Sequence, residues 1–597
     1  MVEGRGQARL LVRFALAAAL LAGCGGMPDS GAAGAGREVG DTAIELLAAP
    51  LGPRPGAPPA EIVGGFLRAG AGSGDDHAVA RSFLTAAAAR SWRPAREVVV
   101  YRDDSLLQVR VRATRSPVRV DVRVPVQATI DARGRYAEAR PGASAHASFT
   151  LTETGGTWRV SALDPAFGSW LPRYELDRTF SALQVSFVAA GTRTLVPDLH
   201  WFAGPRPGLA TALVRQLLLG PPAHLGEAVV TGFPAGTRLA VDAVPTTDGV
   251  AQVDLSAPAL TASSAMRKMM WAQLTSTLRR LPSVARLELT VAGAPFEVPG
   301  VKSSSVYDDT SYRDDVRVTG APVVLAGQRL ARVDPVKGVL TTGSFPLPVG
   351  HSEGLRSVSV GPGAAVVVAV DSTGRRLLRL RPGDTRQVML TGGRLVDPVI
   401  DTTGALWSAD LDQPGRLRVM PADAVVLNIE GPATTDPPGR VQLIEPTWLA
   451  RRSLHSIDIS RDGTRAVVVS ADVASPRAGA TRVDVAGVVR GAGGQPIALS
   501  APLEVAQSLT QVTDAAWADR TALVVLGRGA KEKLVTPYEV VVGGAASALP
   551  QVKGALTVAA GDGLRAVFVT TAAGTLLGRS GVGWASVGTG RSVSIPE

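Results

Sequence analysis

A chain of 597 residues exceeds one ordinary domain, and its 45% hydrophobic content is enough for several cores, which excludes an intrinsically disordered protein. The formal charge of +10 falls to +8 once residues 1–23 are set aside, and the remaining arginines are scattered along the sequence, which argues against the clustered basic footprint of a nucleic-acid binder. With a single cysteine, Cys24, an internal disulfide is excluded in any compartment. Abundant Gly (66) and Pro (42) with few aromatics predict many short strands joined by tight turns.

The first element is a positive segment (Arg5, Arg9, Arg13) followed by an apolar run from Phe14 to Ala22, the layout of a signal peptide over residues 1–23. That run is too short to cross a bilayer as a finished helix. Leu21-Ala22-Gly23-Cys24 resembles the bacterial lipobox, which implies cleavage between Gly23 and Cys24. It also implies a diacylglyceryl thioether on the Cys24 sulfur and an N-acyl chain, palmitate in character, on its amine. Two or more acyl chains hold a protein on a membrane where one is marginal, so Cys24 reads as a lipid anchor rather than as chemistry. The bland alternative, an incidental cysteine in an uncleaved anchor, is disfavoured by leader, lipobox and sole cysteine coinciding. The glycine-rich stretch after Cys24 predicts a flexible tether over 24–55. No second apolar run of membrane-spanning length follows, so the remainder is expected on the extracytoplasmic face of the cell membrane.

Residues 56–165 read as a small α+β domain. "PPAEIVGGFLRAGA" and "HAVARSFLTAAAARSW" predict two amphipathic helices, with Ile62, Phe66 and Ala69 on one face and Ala80, Phe83 and Leu84 on the other's. Strands follow at "EVVVY", "LLQVRVRA", "VRVDVRVPVQATID", "RYAEA" and "HASFTLTETGGTWRVSAL". In the third, Val118, Val120, Val122 and Val124 alternate as in a half-buried strand, and Gly155-Gly156 marks a hairpin in the last. The order resembles the cone-shaped sheet of NTF2-like domains.

Residues 180–300 begin with a strand at "ALQVSFVAA", then a helix placing Leu209, Leu213 and Leu217 in line before Gly220-Pro221-Pro222 stops it. "GFPAGTRLAVDAV" and "GVAQVDLS" predict a hairpin turning at Asp248-Gly249. A second helix carries Met266, Met270, Leu274 and Leu278 in one row, more often core than binding surface, and a strand "RLELTVAG" follows. Leu219-Gly220-Pro221, Phe233-Pro234-Ala235-Gly236-Thr237 and Val253-Asp254-Leu255-Ser256 resemble the GerMN module.

Residues 320–597 repeat a strand, a Gly or Asp turn and an apolar strand. Taking Gly363, Gly404, Gly463, Asp519 and Gly563 as equivalent gives intervals of 41, 59, 56 and 44, close to propeller-blade spacing with insertions. An all-β degenerate β-propeller of five to seven blades is expected, since radial closure hides strand edges.

Catalytic patterns are absent: no nucleophile elbow, zinc-helix motif or P-loop. The six histidines (His77, His146, His200, His224, His351, His455) never fall in ligand spacing, so no metal and no cofactor is expected. The carboxylates of "YDDTSYRDD" (Asp308, Asp309, Asp314, Asp315) lack calcium-loop order and read as a solvated linker. Asp371, Asp401, Asp462 and Asp562 read as turn formers.

Lipobox, α+β domain, GerMN-like module and degenerate propeller, with "VARSFLTAAAARSWRP" and "HSIDISRDGTRAVVV", together resemble the actinobacterial lipoprotein family LpqB over essentially the whole chain. The resemblance implies a non-enzymatic accessory lipoprotein of the MtrA/MtrB two-component system. It would bind the extracytoplasmic part of the sensor histidine kinase and modulate phosphorylation of the regulator, with envelope homeostasis and division downstream. Only Cys24 transfers as a functional position. Two other classes stay open: an envelope glycan- or lipid-binding module, with Trp407 and Trp517 as stacking candidates, and a propeller enzyme needing carboxylates or histidines from several blades.

Overall fold

The computed structural model describes residues 51–72, 74–112, 116–204, 208–301, 311–314, 320–327, 329–334, 338–341, 354–381, 385–423, 441–474 and 481–596. The expectations for Leu21, Ala22, Gly23 and Cys24, and those for Asp308, Asp309, Asp315 and His351, lie outside the described residues.

In the first domain, α1 (Pro59–Ala69) starts on a proline at its first position and buries Ile62, Val63, Phe66, Leu67 and Ala69. The second expected helix is instead two short ones, α2 (Ala78–Ser82) and α3 (Ala86–Ser91). The break has a physical cause. Val160 of the sheet donates to the Phe83 carbonyl and accepts from the Thr85 N–H, which takes the backbone of this stretch out of helical pairing. Thr85 then caps α3 by accepting from Ala88 N–H. Ala80, Phe83 and Leu84 are nonetheless buried together, as the pattern required.

The sheet comprises β1 (Glu97–Tyr101), β2 (Gln108–Val111), β3 (Val118–Asp131), β4 (Tyr136–Glu138), β5 (Ser144–Thr154), β6 (Thr157–Leu163) and β7 (Ser169–Pro172). Its order is β6-β5-β3-β1-β7, with β2 and β4 also paired to β3. The 14-residue β3 alternates as read from the sequence: Val118, Val120, Val122 and Val124 are buried while Arg119 and Arg123 face solvent. β7 runs parallel to β1, pairing Val98 with Ser169, so this sheet continues past residue 165. Trp92, 2% exposed, closes the core and donates its Nε1–H to Gly168 O at 2.8 Å.

α4 (Arg173–Thr179) leads into the second domain, which opens with a hairpin of β8 (Phe180–Ala189) and β9 (Leu195–Ala203) followed by α5 (Leu209–Leu218). Leu209, Leu213 and Leu217 are buried. β10 (Val229–Val230) adds to β8. A second sheet holds β11 (Thr246–Thr247), β12 (Val250–Leu255), β13 (Arg286–Val291) and β14 (Ala294–Pro295), and α6 (Ser264–Leu278) crosses from β12 to the parallel β13. The turn at Asp248-Gly249 is present, both residues having positive φ (50° and 75°). Its first arm is far shorter than expected. Of "GFPAGTRLAVDAV" only a single bridge, Leu239 to Leu255, pairs, because Pro234 and Gly236 put its start in a turn. Met270, Leu274 and Leu278 are fully buried and Met266 packs against the same cluster, so the methionine row is core.

The C-terminal region is propeller-like, built of six sheets among the described residues, inside the expected range of five to seven. The innermost strands of blades two to six are Leu355–Val360, Val399–Ile400, Arg452–Ile459, Leu509–Trp517 and Ala555–Ala560. The five turn positions aligned from sequence all lie between the first and second strands of these blades. Blade one combines Val323–Ala326, Arg329–Val333 and Leu340–Thr341 with the C-terminal Val593–Ser594, which pairs Val324 with Val593 and so closes the ring. The innermost strands touch in succession around the ring, Val593–Ser594 contacting both Leu355–Val360 and Ala555–Ala560. Among the described residues no helix is long and apolar enough to cross a membrane.

Candidate functional site

Three places bring chemically distinctive side chains together: the seam between the domains, the centre of the propeller, and a cleft between the first two domains. Residues Pro50–Glu597 form one compact unit, and side chains meeting backbone hold its seams. His200 on β9 is completely buried; its Nδ1 lies 2.7 Å from the Arg133 carbonyl of the first domain and its Nε2 lies 2.7 Å from Asp198 Oδ2. His224 approaches the other oxygen of Asp198 at 3.5 Å. The backbone carbonyl of His224 accepts from Gly487 N–H (2.7 Å) and Ser500 Oγ–H (2.5 Å) of propeller blade four. One Asp–His–His cluster therefore touches all three domains.

Burial pushes the His224 pKa down to about 4, against the opposing pull of Asp198 and with help from Arg135. Burial also raises the Asp198 carboxyl, but the hydrogen bond from His200 and the histidine charges outweigh it, leaving it below the usual carboxylate value. An Asp–His pair is the hardware of acid–base chemistry, yet here both histidines are closed off from solvent, His200 has both ring nitrogens on partners, and His224 meets only Asp198 while its buried Nδ1 has no hydrogen-bond partner. The pair works as a structural clamp.

Around it the seam continues. Trp201 stacks on Tyr136 with ring centroids 5.3 Å apart and donates its Nε1–H to Gly543 O of blade five at 3.0 Å. Glu138 accepts from Ser508 Oγ–H (3.0 Å) and Ala546 N–H (2.9 Å), and Arg140 pairs with Glu504 at 2.6 Å. Asp314, expected in a solvated linker, is instead mostly buried: it accepts from Ser276 Oγ–H at 3.0 Å and pairs with Arg279.

At the propeller centre, side chains of one inner strand cap backbone N–H groups of the next. Ser592 and Ser594 accept from Val358 and Val360 N–H (3.1 and 2.9 Å), and Ser359 accepts from Ile400 N–H at 3.1 Å. Asp458 accepts from Trp517 N–H, and Asp514 from Val558 N–H, both at 2.8 Å. Asp514 also accepts from Ser456 Oγ–H at 2.5 Å. Burial raises the Asp458 carboxyl to about 6 and Asp514 to about 7, despite these hydrogen bonds. With Arg356, Asp397 and His455 they border a cavity of about 360 Å³. No grouping of three or more side chains suited to a metal ion occurs among the described residues.

Sequence reading missed Asp458 and Asp514, although a signal existed: each stands five residues before its blade's turn residue, Gly463 and Asp519. Asp198 and His200, two apart on a strand, share a face by the same period-two rule that exposed the valines of β3. His455 borders the propeller-centre cavity and His77 the cleft between the first two domains, while His146 lies at none of the three places. Asp371, Asp401 and Asp462 are the turn formers expected, each accepting from N–H groups two to five residues on. Trp407 and Trp517 are not available to stack on a sugar. Trp407 is fully buried with its Nε1–H on Asp401 at 3.0 Å, and Trp517 lies beneath the Arg465 guanidinium, 4.7 Å from the ring centroid.

The third place is a cleft of about 1090 Å³ between the first two domains. Its walls include Val98, Ile130, Leu171, Phe180, Phe202 and Leu219, and Arg133, Arg215 and Arg238 border it. Its size and apolar walls are those of a ligand pocket at a domain interface.

Comparison with known proteins covers these same three regions. Residues 52–177 match the family described as lipoprotein LpqB, N-terminal domain; residues 184–297 match a sporulation and spore germination domain; residues 325–597 match the lipoprotein LpqB beta-propeller domain. Lipoprotein LpqB of Thermobifida fusca is 29% identical over 563 residues, 87% of each chain. Lipoprotein LpqB of Cutibacterium acnes is 28% identical over 558 residues, 88% of each. The solved first GerMN domain of the sporulation protein GerM from Bacillus subtilis is 15% identical, covering 22% of this chain and 99% of that one, at a TM-score of 0.18.

Proposed function

We propose, on the premise that this chain belongs to the LpqB lipoprotein family, that it is a non-catalytic membrane lipoprotein anchored through acyl chains on Cys24 at the extracytoplasmic face. In this reading it docks on the extracytoplasmic domain of an MtrB-like sensor histidine kinase and modulates two-component signalling in envelope homeostasis and division. The observation that carries the reading is the clamping of three domains into one unit through Asp198, His200, His224, Trp201 and Glu138. Such a unit presents broad, fixed surfaces, and interfaces gain affinity when little has to be ordered on binding. The relatives' names as lipoproteins support the anchor, and a lipid tether raises the effective concentration of membrane partners. Fractionation of cells making wild type or Cys24→Ala tests the anchor. Release of the variant from the membrane is expected; full retention would contradict it.

A second reading, an envelope lipid- or glycan-binding lipoprotein, is favoured by the apolar cleft between the first two domains. Co-purification of an envelope lipid that is lost in Leu219→Asp would shift the balance toward it.

A further inference from the structure

Arginines that are scattered in the sequence are gathered by folding onto one solvent face of the first domain's sheet. Register places Arg110 of β2 beside Asp121 of β3, Gln108 beside Arg123, and Arg123 beside His146 of β5. Arg159 of β6 lies opposite Thr152 of β5. Arg112, just beyond β2, reaches the same face, pairing with Asp121 at 2.8 Å. Arg119 pairs with Asp121 at 3.2 Å and donates to Ser148 Oγ at 3.0 Å. The face thus carries Arg110, Arg112, Arg119, Arg123 and Arg159 around one carboxylate. The hydrogen bond from Ser148 and those from Arg112 and Arg119 hold that carboxyl down at about 2, so it stays ionised and offsets a single charge. Arg110 and Arg123 have no carboxylate partner among the described residues; Arg123 donates only to Ser144 Oγ at 3.2 Å.

The layout discriminates between occupants. Four strands about 4.8 Å apart spread the guanidiniums over roughly 15 Å, too wide for one small anion. The outward side chains of β5 between them are Ser144, His146, Ser148, Thr150 and Thr152, polar throughout and without a large apolar anchor. Protein interfaces concentrate their energy in such anchors, whereas association with anionic lipid needs only basic side chains near a charged surface. The 27 residues from Cys24 to Pro50 span at most about 95 Å, which on the lipid-anchor reading keeps this domain within reach of the bilayer.

We infer that the solvent face of β2, β3, β5 and β6 is a lipid-binding face that rests on anionic phospholipid headgroups. It would set the orientation of the three-domain unit on the membrane, beyond mere tethering. The test uses residues 50–597, which form one compact unit and lack Cys24, so that failure of the anchor reading does not enter. Sedimentation with phosphatidylcholine vesicles carrying a rising fraction of phosphatidylglycerol is expected to show binding that grows with phosphatidylglycerol and weakens with salt. Arg110→Gln with Arg123→Gln, which leaves the Asp121 pairs intact, is expected to lower the partition about 30-fold. Lys531→Gln with Lys533→Gln, the same charge loss on an exposed propeller loop, is expected to leave it unchanged, and both variants should keep the wild-type circular dichroism spectrum. Equal binding to pure phosphatidylcholine, equal loss in the lysine variant, or no vesicle binding alongside capture of an acidic protein would each overturn the inference.

Discussion

The carboxylate of Asp514 in blade five accepts the backbone N–H of Val558 in blade six at 2.8 Å, so a side chain completes what a sheet ladder would otherwise do between two blades. Removing it takes the acceptor from that N–H, from the Ala515 N–H and from the part-buried Ser456 hydroxyl at once. Asp514→Ala is expected to destabilise the propeller by about 2–4 kcal/mol, measured by chemical denaturation followed through tryptophan fluorescence.

The same group imposes a pH dependence. Its folded value of about 7 and that of Asp458 near 6 exceed the value of about 4 in an unfolded chain, so the folded state holds protons that the unfolded state has released. These two residues contribute stability that is fully present below about pH 4 and is lost as pH rises to about 7. Asp514→Asn is expected to flatten that fall; an unchanged slope between pH 4 and 7 would contradict the assignment.

His224 acts with the opposite sign. Its folded value of about 4 lies below the ordinary imidazole value near 6.5, so its stabilisation is present above pH 6.5 and is lost as pH falls toward 4. The full effect is on the order of 3 kcal/mol. The difference in denaturation midpoint between wild type and His224→Gln, taken across this window, should shrink as pH falls.

At the seam, Gly134 has φ of +76°, and a Cβ there would meet the Trp201 carbonyl oxygen at 2.6 Å. Gly134→Ala is expected to cost about 1–3 kcal/mol and to open the junction to limited proteolysis. Arg140→Ala, by contrast, removes a pair whose arginine is 62% exposed, and should change stability by less than about 1 kcal/mol.

Much of the architecture was legible because it rests on local periodicity. The valines of β3, the leucines of α5 and the Met270–Leu278 row each bury the face their spacing selected. What escaped depended on contacts distant in sequence. The break at Phe83–Thr85 is made by Val160, far downstream, and an alanine-rich segment gives no hint of it. β9 was hidden by Pro197, Asp198 and His200, whose polarity makes sense only against Arg133 and the propeller. Blade one was lost because its closing strand is two residues at the far end of the chain. The clustered arginines were invisible for the same reason: Arg110, Arg123 and Arg159 become neighbours only through strand register.

The most direct measurement is co-purification from membranes in mild detergent, comparing wild type with Cys24→Ala, followed by phosphotransfer assays on whatever kinase is recovered. The account predicts that a sensor histidine kinase accompanies the wild type, that its recovery falls with Cys24→Ala, and that its phosphotransfer to the response regulator changes when the lipoprotein is withdrawn. A membrane-bound wild type that brings down no kinase, or a kinase whose phosphotransfer is indifferent to it, would contradict the account.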